Sequence, residues 1–146
     1  MVVGVDVNVD GDGDGDGDGR RNDTTSAQRG RTCDMLSFQR LDVYRCAIEF
    51  LALSTRLPQR LPKGHFALAD QLRRAALSIP LNIAEAAGRS SAADGARHYA
   101  IARGSAMECA AIVDVLRVLE VIGEEEQAHA SDLLARVVAM LTRLCR

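Results

Sequence analysis

The stretch Gln71-Leu-Arg-Arg-Ala-Ala-Leu-Ser-Ile-Pro-Leu-Asn-Ile-Ala-Glu85 carries two interleaved stripes at helical spacing. Leu72, Ala75, Ile79 and Ile83, extended by Leu68 and Ala86, recur every three or four residues and define an apolar face. Gln71, Arg74, Ser78, Asn82, Glu85 and Arg89 recur in the same way and define a polar one. A strand, with its period of two, would scatter both sets, so the segment reads as an amphipathic helix from about Phe66 to Ala87. Gly88 ends it. Pro80 falls inside, where its ring removes a backbone donor and crowds the carbonyl of Ala76; a kink is expected near residues 76 to 80.

Working outward, the same periodicity predicts three more helices. The first spans about Ser37 to Thr55, with Leu41, Tyr44, Ile48, Leu51 and Thr55 on its apolar face, and is stopped by Pro58 and Pro62 in a loop from Leu57 to His65. The third spans about Ala92 to Ile122, opened by Ser91 with Asp94 in a capping-box pattern and closed by Gly123 as its C-cap. Its middle is rich in small residues, including Ala100, Ala102, Gly104, Ser105, Ala106, Ala110 and Ala111, which lets another helix approach closely. The fourth spans about Glu124 to Leu144, with acids in its first turn and Arg143 in its last, matching the helix dipole. The fold class is therefore all-α, an antiparallel up-down-up-down four-helix bundle over residues 35–146.

Composition agrees. The chain is 47% hydrophobic and 26% charged, the balance of one ordinary globular domain, and with 3% aromatic residues its apolar volume is almost wholly aliphatic. Four cysteines, Cys33, Cys46, Cys109 and Cys145, lie far apart without a C-x-x-C pair, as in a protein with reduced thiols. No apolar run approaches the ~20 residues needed to cross a bilayer, and the N-terminus lacks the basic start of a signal peptide; a cytoplasmic location with no membrane partner is expected.

Residues 1–34 differ from the rest. Asp-Gly repeated through residues 10–19 cannot bury apolar surface and loses the most backbone entropy on ordering, so a disordered tail is expected, with Met35 as an alternative point of initiation. Asp6, Asn8, Asp10 and Gly11 imitate the start of a calcium-binding loop, but Gly17 stands where its bidentate Glu belongs. From Met35 onward, 14 basic residues face 12 acidic ones, a net of +2, and 13 of the 14 are Arg.

No catalytic constellation emerges, and neither a cofactor nor a small-molecule substrate is suggested. Glu126 and His129 form a single Glu-x-x-His pair, whereas a di-metal bundle needs two; no metal site is expected. His98 lies four residues after Asp94 and reads as its surface partner. Gly104-Ser105 falls within a helix and lacks the strand-to-helix turn that exposes a nucleophilic serine. The polar stripe, by contrast, contains Ser78 and Asn82, poor helix formers that need a local reason. It reads as a seam fixing helix register or a subunit contact, with Arg103, Ser105 and Glu108 as partners on the third helix and Arg74 to Glu108 or Glu85 as the first pairing to look for.

The run Gln71 to Glu85, then Gly88-Arg89, then Ile101-Ala-Arg-Gly-Ser-Ala-Met-Glu108, resembles the four-helix-bundle family named after proteins encoded in intervening sequences of bacterial 23S ribosomal RNA genes. It is also similar to the accessory variability proteins of diversity-generating retroelements. The resemblance covers about Leu36 to Arg146, and Gln71, Arg74, Ser78, Asn82, Glu85, Gly104, Ser105 and Glu108 match its pattern. It implies a ring, typically a homopentamer, without assigned enzymatic activity; the retroelement relatives bind a reverse transcriptase and nucleic acid through a basic surface. Ala86 departs from the pattern, where Gly commonly follows the Glu, and so does the weak basic charge.

Two functions follow as expectations. One is a non-enzymatic homo-oligomeric assembly or adaptor protein, with itself as partner. The other is an RNA- or DNA-binding module, working with a reverse transcriptase, for which Arg73, Arg89, Arg97 and Arg103 are the candidate phosphate contacts.

Overall fold

The computed structural model describes residues 35–146, except Pro62 and the side chain of Pro58. The expected tail and the calcium-like loop within it lie outside the described residues. Four α-helices account for the fold: α1 Asp42–Ser54, α2 Phe66–Ala87, α3 Ala92–Val118 and α4 Glu124–Leu144. No strand occurs among the described residues. Each helix packs on its neighbours in a closed square, α1 on α2, α2 on α3, α3 on α4 and α4 back on α1, so the chain is a four-helix bundle.

Aliphatic side chains fill the interior. Leu72, Ile79 and Ile83 of α2, Val113 and Leu116 of α3, Leu133, Leu134 and Leu141 of α4, and Phe50 of α1 are all essentially inaccessible to water. At about 1.5–3 kcal/mol for each side chain removed from water, these residues supply the main drive for folding. Among the described residues no helix is long and apolar enough to cross a membrane.

Both ends of α2 and of α4 fall where the periodicity puts them, while α1 and α3 differ. α1 begins only at Asp42, after a 3-10 turn from Ser37 to Arg40, and its buried face is Val43, Cys46, Ala47, Phe50 and Ser54. The expected face through Leu41, Tyr44, Ile48, Leu51 and Thr55 is rotated from this by about one position: Ile48 is 39% exposed and Thr55 exposed, whereas Tyr44 and Leu51 pack on the margin of the core. Two apolar stripes lie side by side on α1, and the bulk of Phe50 decides which one turns inward. Tyr44 instead stacks edge-on against Phe38, at 4.9 Å between ring centroids.

α3 stops at Val118, four residues short of the expected Ile122, and Gly123 is not its C-cap. The reversal occurs at Glu120, whose φ of 55° is left-handed. The amide of Glu120 donates to the carbonyl of Arg117 and that of Val121 to the carbonyl of Leu116, each at 3.0 Å, the paired bonds of a Schellman ending. Val121 and Ile122 are thereby turned into the core, and Gly123 becomes the N-cap of α4. A side chain in this conformation costs about 1–2 kcal/mol that glycine avoids, offset in part by the greater freedom of an unfolded glycine. Glu120→Gly is therefore expected to stabilise the protein by about 0.5–1 kcal/mol, read as a shift of the denaturant midpoint at unchanged slope.

Candidate functional site

Because Ser78, Asn82 and Gln71 sit beside the apolar face of α2, packing that face inward brings them to the border with α3. Ser105 of α3 donates from its hydroxyl to Ser78 Oγ at 2.8 Å. Asn82 Nδ2 donates to the Ser78 carbonyl at 2.9 Å and to Ser78 Oγ at 3.1 Å. Asn82 Oδ1 in turn lies 3.2 Å from His98 Nδ1 on α3; since the amide oxygen only accepts, the imidazole must carry its proton on Nδ1. Gln71 donates to Glu108 further along. The partners fall in number on α3 as they rise on α2, so these two helices run antiparallel. Likewise Asp42, Arg45 and Glu49 of α1 share a groove with Arg136, Met140 and Arg143 of α4, while Arg60, beyond the end of α1, reaches Glu126 near the start of α4 at 2.7 Å.

Several pairings differ from those the spacing suggests. Arg74 contacts neither Glu108 nor Glu85; its guanidinium is held by Asp70, one turn back on α2, and by Gln71. Gln71 is shorter and lies closer to α3, so it takes Glu108 and stands between the two expected partners. Glu85 pairs with Arg89 on its own helix. His98 turns to Asn82 rather than Asp94, which faces Arg89 at 3.7 Å. Arg103 makes no ion pair or side-chain hydrogen bond among the described residues. The close approach that a glycine after Glu85 would provide comes from the other helix: a Cβ on Gly95 would sit 3.3 Å from the carbonyl oxygen of Ala86.

The small residues of α3 divide between two faces. Ala102 and Ala106 are buried in the core, whereas Ala100, Gly104 and Ala111 are exposed and a Cβ on Gly104 would meet nothing within 4 Å. With them on the outer face stand Ile101, Met107, Val115 and Val118, exposed by 44%, 59%, 44% and 81%. α3 thus carries small and apolar side chains on its outer face as well as in the core, interrupted on the outside by the exposed Arg97 and Glu108. α2 has its own outward apolar side chains, Phe66, Leu77 and Leu81, and Leu77 opens onto a groove of about 410 Å³ bordered by Leu51, Ser54, Thr55, Gln59 and Arg73.

The candidate phosphate contacts are scattered. Arg73 is bound to Asp70 at 2.7 Å and Arg89 to Glu85, so both are partly neutralised. Arg97 is exposed on α3 and Arg103 half-buried. The spacing gave no notice of a denser set: Arg45, Arg136 and Arg143 line the α1–α4 groove, about 420 Å³, with Asp42 and Glu49. Only the tertiary pairing of the first and last helices joins them.

Burial, with the neighbouring Glu108 carboxylate adding to it, pushes the Cys109 thiol up to about 12, the opposite of what a nucleophile requires. No group of three or more His, Cys, Asp or Glu side chains able to hold a metal ion occurs among the described residues, and Glu126 is engaged by Arg60.

An all-helical bundle with a hydrogen-bonded seam between α2 and α3 is the class of protein the geometry defines. The family model of the 23S rRNA-intervening sequence protein matches residues 39–143, and the chain belongs to that family. Among solved structures it is similar to a protein of unknown function from the S23 ribosomal protein family of Bacteroides thetaiotaomicron. The identity is 24% and the TM-score 0.65, over 71% of this chain and 98% of that one, a likeness of fold. No curated protein matches.

Asn82→Ala removes three contacts at once, one across the seam to His98 and two back to Ser78 on its own helix. The loss of part-buried hydrogen bonds, about 1–2 kcal/mol, should exceed the gain of roughly 0.5 kcal/mol in helix propensity, leaving a net destabilisation of about 1 kcal/mol in equilibrium unfolding.

Proposed function

We propose that the protein is a non-enzymatic subunit of a homo-oligomer, with an assembly or adaptor role and a pentameric ring as the favoured form. The exposed apolar face of α3 carries this reading: Met107 and Val118, 59% and 81% exposed, stand with Ile101 and Val115 on a helix whose opposite side is already in the core. Contiguous apolar surface of this kind marks an interaction site in a water-soluble protein. Family membership supports it through the ring that the resemblance implies. Light scattering coupled to size exclusion, on the full chain, should return a mass several times 15.7 kDa that persists on dilution through the micromolar range. A strict monomer at high concentration would count against the proposal.

The α1–α4 groove favours a second reading, the binding of RNA or DNA, with a reverse transcriptase as an associated partner. Arg45 is loosely paired with Asp42 at 3.7 Å and Arg136 with Asp132 at 3.9 Å, which leaves Arg143 as the guanidinium of the groove without an ion pair among the described residues, a weak site in a monomer but one repeated by rotational symmetry in a ring. Binding through phosphates would fall steeply with salt. Fluorescence anisotropy with labelled single-stranded RNA and duplex DNA should show affinity at low salt that declines with added salt and weakens in Arg136→Ala with Arg143→Ala; no binding at low salt removes this reading.

A further inference from the structure

We draw no further inference here: the strongest candidate, the outward face of α3 through Gly104, Met107 and Val115, carries none, because nothing in the structure shows what covers it.

Discussion

Hydrogen bonding between Ser78, Asn82, Ser105 and His98 ties α2 to α3 at the border of the core, and the placement of everything outside that border depends on it. A hydroxyl or amide half-removed from water costs free energy unless it finds a partner, and here the partners are one another. Apolar contacts between α2 and α3 would tolerate a shift of one helix past the other by a turn, because leucine-like surfaces are interchangeable. The seam does not tolerate it, because moving α3 by one turn would take Ser105 away from Ser78 and His98 away from Asn82 together. Register is thereby set by polar groups, while the energy of association comes from the aliphatic side chains behind them.

Fixing that register also fixes what faces outward. α3 must turn Ala102, Ala106, Cys109 and Val113 into the core and Ser105 toward α2, which leaves Gly104, Met107, Ala111 and Val115 on the outside. A freestanding bundle would place charged residues at those positions. Arg97 and Glu108 interrupt this face, and its small and apolar remainder, on the longest helix of the chain, is what supports the proposed subunit role. The core-facing and outward-facing small residues serve different purposes: Ala102 and Ala106 let the bundle close, whereas Gly104 and Ala111 keep the exterior flat enough for something else to lie on it.

Sequence periodicity located α2 and α4 to the residue, since each has one apolar stripe and clear ends: Phe66 after the proline loop, Gly88, the acids at 124–126, and Arg143. α1 was harder, because two adjacent apolar stripes compete and a single large ring, Phe50, selects between them through contacts with other helices. The end of α3 was hidden for a different reason. A left-handed residue is signalled by glycine, and here Glu120 holds that conformation while Gly123, the visible signal, serves the next helix. Within the seam, spacing identified which α2 residues share a face but not which partner each selects. Side-chain length decides that. Arg74 folds back on Asp70, and the shorter Gln71 and Asn82 cross to α3. The arginine groove between α1 and α4 left no trace in the sequence, as its members lie some ninety residues apart.

Charge bears on which of the two roles the surface favours. The helical part of the chain has a net charge of only +2, and many of its arginines are already held: Arg73 and Arg74 by Asp70, Arg89 by Glu85, Arg60 by Glu126. Such pairs contribute little to stability, typically under 1 kcal/mol each at an exposed site, but they take guanidiniums out of competition for phosphate. A protein shaped mainly to bind nucleic acid would leave those groups free and crowd them on one surface. This one spends them on its own helices and keeps a surface of small and apolar side chains, interrupted by Arg97 and Glu108, exposed on α3. Any phosphate binding would therefore depend on symmetry bringing several α1–α4 grooves together, which makes assembly the prior step in either role.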